Sequence, residues 1–302
     1  MRWDENDDDD ENDDDDDKND KYKDKRTKDK KTKDKRTKDK DKKDKDKDTK
    51  KDKDKDKNKT FGQKLHKWLS EIAIKLDVSV GFSYYEKANT NLYNTFTIYS
   101  PTQGKRCSLT SYRKTHIPDG PGYSEKFYFT PGDTGPVVAT LPCGLKVGLS
   151  VCWDQWFPEH ARCLSLLGAH VLVYPTAIGS EPLLGISAGS GSSSGQWRRV
   201  MQGHSAGNML PVLAVNRAGR ERVEDGGRES EITFYGGSFA TDNTGEITGE
   251  IGGEDEEGTV FVEVDRGTVE RERTAWGMWR DRRPECYGAI RTKDGTTRVP
   301  GA

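Results

Sequence analysis

Residues 146–175, KVGLSVCWDQWFPEHARCLSLLGAHVLVYP, decide the fold of this chain. The stretch opens on an apolar strand-like run, KVGLSVC, and closes on another, HVLVYP (170–175). Between them residues 158–168 read as a helix, with Pro158 suited to its first turn because that position needs no backbone N–H. A strand, a helix and a second strand in so short a span predict an α/β domain whose sheet is covered on its faces.

The same reading extends in both directions. Toward the N-terminus, Leu65, Trp68, Leu69, Ile72, Ala73 and Leu76 recur at the helical period and form one apolar stripe. Strand-like runs lie at VSVGFSYY (78–85) and YNTFTIYS (93–100). Toward the C-terminus come a helix around 196–208 and further strands at VLAVN (212–216), GGSFAT (236–241) and TVFVEVD (259–265). The loop 183–195, LLGISAGSGSSSG, is rich in Gly and Ser but opens no phosphate-binding strand–Gly–helix unit. The domain organisation expected is one α/β domain over 61–302 behind an arm, 1–60.

That arm has 48 charged residues among its 60, and its apolar side chains are Met1, Trp3 and Tyr22. It buries too little to offset its ordering entropy, so disorder is expected. The other 242 residues are about 22% charged and 38% apolar, ordinary for a globular domain. Within the arm, KDK(R/K)T repeats three times from Lys23 to Thr37, and residues 21–60 carry 22 bases against 11 acids. A basic arm can hold phosphates, but no aromatics interleave as stacking platforms, so it reads as a solvated polyampholyte and not as a nucleic-acid binder. No apolar run reaches 18 residues and the N-terminus is acidic, which argues against a membrane span or a secretory leader. Cysteines at 107, 143, 152, 163 and 286 are odd in number and lack metal-like spacing, as expected of reduced thiols in the cytoplasm.

Cys152 stands apart from the other four. It ends a strand just before a helix, a place from which a nucleophile projects into a cleft and backbone N–H groups can receive an oxyanion. Trp153, Asp154, Gln155, Trp156 and Glu159 crowd the positions after it, where a packed core would prefer aliphatics. A second concentration is YRKTHIPDGPGYSEKFYFTPGDTG (112–135), rigid with Pro and Gly and carrying Lys114, His116, Asp119 and Glu125. An ammonium beside a cysteine lowers the thiol pKa and steadies an oxyanion, so Cys152 is expected to be the most reactive of the five thiols. His116 is a second candidate, as general base or as a structural hydrogen-bonding residue.

Residues 84–295 resemble the nitrilase, or carbon–nitrogen hydrolase, superfamily, and within it the plant-type N-carbamoylputrescine amidases. The strings that carry the resemblance are YYEKANTNLYNT, YRKTHIPDGPGYSEKFYFTPGDTG, VCWDQWFPEHARCLSLLGAHVLVYPTAIGSEP, QWRRVMQGHSAGNMLPVLAVNR, ITFYGGSF and WGMWRDRRPECY, which fall within about 70% of the chain. The resemblance implies an α-β-β-α sandwich that hydrolyses a non-peptide C–N bond with a Glu–Lys–Cys triad and with no metal or cofactor. Cys152 matches the nucleophile, Lys114 the lysine, and Glu125 a second glutamate that orients the lysine; His116 then has no catalytic role. The implied substrate is a small carbamoyl amine, N-carbamoylputrescine, cleaved to putrescine, ammonia and carbon dioxide. Glu181 matches a position able to pair with the substrate ammonium, while Trp153, Trp156 and Tyr174 are candidate pocket walls. The resemblance also implies a homo-oligomer.

The chain departs from the family upstream. The strands and helix that the resemblance places before the first helix are missing, and the base glutamate would fall near position 41, inside the Lys/Asp repeat. No glutamate occurs between Glu11 and Glu71, and Glu86 belongs to a different family string. Two readings stand: low-complexity sequence replaces the segment through a misjoined exon, or the chain is a catalytically dead relative. Another ureido or amide hydrolase and a non-catalytic binding scaffold are the alternative functions.

Overall fold

The computed structural model describes residues 60–104, 106–120, 123–180, 193–225 and 228–296. The expected arm lies outside these residues apart from its last position. Helix α1 (Phe61–Leu76) forms over the predicted stripe, but only part of the stripe is covered: Leu69 and Ala73 are buried while Trp68 and Leu76 stay exposed.

Strands β1 (Val80–Ala88), β2 (Asn91–Thr102) and β3 (Arg106–Arg113) make an antiparallel meander. Its first turn is a two-residue loop between Ala88 and Asn91, where Asn89 takes the left-handed conformation that tight hairpins demand. After the short helix α2 (Glu125–Tyr128), strands β4 (Val137–Thr140), β5 (Lys146–Leu149), β6 (Val171–Thr176) and β7 (Val212–Asn216) enter a six-stranded sheet. Strands β8 (Ala218–Asp225) and β9 (Arg228–Tyr235) form a separate hairpin, and β10 (Phe239–Thr241) and β11 (Ile247–Glu250) complete the large sheet in the order β11-β10-β7-β6-β5-β4. Strands β5, β6 and β7 run parallel, and helices α3 (Pro158–Leu166) and α4 (Ser194–Asn208) make the crossovers between them. Helix α5 (Arg266–Trp276) follows. No described helix is long and apolar enough to cross a membrane.

The two faces of the large sheet are settled by alternation along β5. Gly148 faces the helices: a Cβ there would lie 3.2 Å from the Cβ atoms of Leu164 and Ala169. Val147 and Leu149 therefore face the other way, and they share one buried core with Phe96, Ile98 and Tyr112 of the meander. Meander, sheet and helices stack as three layers of the expected sandwich.

One expected strand is absent. Residues 259–265 run without a ladder, and Phe261 is 94% exposed. The segment still approaches β11, for a Cβ at Gly249 would lie 2.7 Å from Val260 Cγ1. Alternation alone does not make a strand: β11 stands at the end of the large sheet, and the segment runs beside it without forming a ladder. The sequence reading also passed over β8 and β9, whose residues are charged; cross-strand pairs from Arg220 and Arg222 to Glu231 hold this exposed ribbon.

Three histidines lie deep in the fold, and burial pushes His160, His170 and His204 below the ordinary value of 6.5. The unfolded chain therefore binds protons that the folded chain does not. Stability is present above about pH 6.5 and is lost as pH falls through the lower folded values. A urea midpoint that drops between about pH 7.5 and 5.5 is expected, and one that rises would contradict this account.

Candidate active site

Strand β5 delivers the nucleophile candidate. Val151 is still extended, and the chain then turns through Cys152 at φ +45° into a 3-10 turn, Cys152–Trp156, that leads into α3. A left-handed conformation at a non-glycine residue is uncommon and is held here by its surroundings. Cys152 is the one buried thiol of the five.

The expected depression of its pKa is not found. Burial pushes the Cys152 thiol up, and Glu125 and Asp154 add to this. The Lys114 ammonium and the Ala177 backbone pull the other way and lose. Sequence reading saw the lysine but could not weigh it against desolvation. The expected labelling order reverses accordingly. Brief, limiting iodoacetamide should modify the exposed Cys143, Cys163 and Cys286 before Cys152 in the unliganded chain. Peptide mapping that found Cys152 first would restore the original expectation.

Lys114 continues from β3. Its N–H donates to the Asn94 carbonyl at 2.8 Å and its carbonyl accepts from Gly132 at 2.8 Å. No side chain fits at residue 132, because a Cβ there would lie 2.0 Å from the Arg113 oxygen. The lysine side chain is wholly buried and its Nζ meets Glu125 Oε2 at 2.6 Å. The family resemblance implied this contact, and α2 supplies it: Glu125 is the first residue of that short helix.

The remaining candidates separate. Trp153 and Trp156 are half-buried on the turn that Cys152 opens, with rings 6.2 Å apart and edge-on. Tyr174 corrects the expectation of a pocket wall: it is fully buried in β6, its ring 6.3 Å from His204, and belongs to the core. Glu181 lies outside the described residues. His116 stacks on Phe157 at 3.7 Å and places Nδ1 2.8 Å from Asp154 Oδ1. Glu86 is engaged by Arg113 at 2.6 Å and by the Thr95 hydroxyl at 2.6 Å, and both hold its carboxyl below the usual range.

Two site residues carried no assigned role in the sequence. Gln155 is fully buried; its Oε1 accepts the Trp197 indole N–H at 2.8 Å and its carbonyl faces His204 Nε2 at 2.7 Å. Asp154 is fully buried as well, and its Oδ1, His116 and His160 place ligand-type atoms within 4.8 Å of one another. A cation is not well served there, since both carboxylate oxygens already face two partners each. In sequence they show as the run of polar residues directly after Cys152.

The sequence pattern of the carbon–nitrogen hydrolase family matches residues 58–274. An N-carbamoylputrescine amidase of Solanum tuberosum is 46% identical over 231 residues, covering 76% of this chain and 74% of the relative. A citrullinase of Francisella tularensis is 43% identical over 229 residues, covering 75% and 74%. Among solved structures, a carbon–nitrogen hydrolase from Helicobacter pylori G27 superposes with a TM-score of 0.68 at 35% identity, covering 77% of this chain and 78% of that one.

Proposed function

Because this chain belongs to the carbon–nitrogen hydrolase family, we propose that it is built to hydrolyse a ureido C–N bond, with N-carbamoylputrescine as substrate and putrescine, ammonia and carbon dioxide as products. One observation carries the reading: a buried thiol at a strand-to-helix turn lies within the field of a buried lysine that is itself fixed by a glutamate. The Cys152 thiolate attacks the carbamoyl carbon, and the carbonyl electrons move to oxygen. Lys114 and the backbone N–H of Trp153 stabilise that oxyanion. The intermediate collapses by expelling ammonia, whose extra proton is the one the thiol gave up. Water then cleaves the thiocarbamate, returning the thiol and freeing a carbamate, which loses carbon dioxide to leave the amine.

Lys114 is the oxyanion and proton-transfer residue in this scheme, Glu125 holds it, and Cys152 is the nucleophile. Trp153 and Trp156 flank the acyl group, and Glu181 pairs with the distal ammonium of the substrate. A thiol nucleophile needs a reducing compartment, which supports the cytoplasm as its place of action. Exposed Trp276, Tyr287 and Ile290 support a homo-oligomer that would cover them.

The relation to a citrullinase makes citrulline the informative competitor, since both compounds offer a ureido group and differ at the far end. Ammonia release is measured from N-carbamoylputrescine, citrulline and simple aliphatic amides, with the chain and its Cys152→Ala variant. Slow, cysteine-dependent release that is greatest for N-carbamoylputrescine is expected. Release that survives Cys152→Ala, or that is fastest with simple amides, contradicts the reading.

A further inference from the structure

One buried carboxylate touches both segments that carry the reacting pair. Asp154 Oδ2 accepts the Val151 N–H at 2.9 Å and the Tyr112 hydroxyl at 2.7 Å. Its Oδ1 accepts the His116 N–H at 3.1 Å and faces His116 Nδ1 at 2.8 Å. Val151 immediately precedes Cys152, and Asp154 itself follows two residues later. Tyr112 and His116 stand two residues to either side of Lys114. The contacts thus bracket the cysteine on one segment and the lysine on the other.

We propose that Asp154 is the positioning residue that sets Cys152 and Lys114 in register with each other. The proposal deepens the reading above and rests on its pairing of those two residues. An ionised carboxylate suits the place, because a neutral amide would turn its NH2 toward a backbone N–H, that of Val151 or that of His116. Burial pushes the Asp154 carboxyl up, but the His116 hydrogen bond, the field of His160 and the bonds from Tyr112 and Val151 outweigh it and hold the group below its usual range. The role is distinct from chemistry: Asp154 meets the lysine segment and the turn, and acts through them.

The groups that face Cys152 are Lys114 beyond β3, Glu125 on α2 and Asp154 on its own turn. Those that face Asp154 are Tyr112, His116 and, from α3, His160. This arrangement gives opposite signs to two explanations. The negative charge of Asp154 disfavours the thiolate, so its removal alone quickens alkylation of Cys152. Loss of register withdraws the Lys114 ammonium and slows it.

The experiment follows iodoacetamide labelling of the Cys152 peptide by mass spectrometry, as a function of pH, in the full chain. Asp154→Asn should slow labelling at neutral pH about three- to tenfold and move its midpoint upward. In a Lys114→Met background the same substitution should have no further slowing effect. Tyr112→Phe keeps the carboxylate charge and removes one contact, so it serves even where Asp154→Asn does not fold. It should slow labelling less, in the same direction, and again only when Lys114 is present. Faster or unchanged labelling in these variants overturns the proposal, as does slowing that persists in full without Lys114. If Lys114→Met alone leaves the rate unchanged, the cysteine–lysine pairing itself has failed, and the proposal falls with it.

Discussion

Replacing residues 1–60 with the N-terminal segment of the potato N-carbamoylputrescine amidase should raise turnover of N-carbamoylputrescine by about 10²–10⁴-fold, the usual worth of a positioned general base. The thiol needs such a base, since burial holds Cys152 in its protonated form. None of the carboxylates described around it is free to serve. Glu125 is committed to Lys114 at 2.6 Å, Glu86 to Arg113, and Asp154 has all its acceptor positions engaged. A new segment should also shield apolar surface that now meets water, with Val215 on β7 half-exposed and Phe261 almost fully so. The two chains are compared by ammonia release under identical conditions. Equal turnover would show that a base reaches Cys152 from elsewhere, and the proposed triad would have to be redrawn.

Truncating Glu125 to alanine should lower the free energy of unfolding by about 3–5 kcal/mol, the cost of leaving a buried charge without its partner. The Lys114 side chain is 0% exposed and Glu125 is 22% exposed, so solvent cannot easily replace the lost carboxylate. The loss should be largely reversed in the double variant Lys114→Met, Glu125→Ala, because methionine fills similar space without a charge to satisfy. Urea unfolding of the four chains gives the cycle. A Glu125→Ala cost below about 1 kcal/mol, typical of a solvated pair, would mean that the lysine finds another partner or leaves the interior.

The parts of the fold that the sequence made legible are those in which apolar periodicity coincides with burial on both sides. KVGLSVC, HVLVYP and VLAVN became β5, β6 and β7, and the helices between them fell where Pro158 and the polar spacing put them. Where strands are half-exposed or charged, as in β3 and the β8–β9 ribbon, the period carries little apolar signal and the reading missed them. TVFVEVD failed in the opposite sense, having the right alternation yet forming no ladder with the nearby β11. At the site, a lone strand-terminal cysteine and a lysine in a Pro- and Gly-rich segment were visible as unusual residues. The contact between Lys114 and Glu125 came from family resemblance, because eleven residues of irregular chain separate them. Asp154 was visible only as an oddly polar neighbour, and three of its four contacts reach across 38 to 42 residues of sequence.

The backbone at Cys152 has a consequence for how the chain can change. At φ +45° the residue sits where a side chain costs energy and glycine does not. Glycine would relieve that backbone cost but would leave the buried volume of the thiol unfilled, so the two effects oppose each other at this position. The turn thus presents a sulfur at a place where the backbone by itself favours no side chain at all.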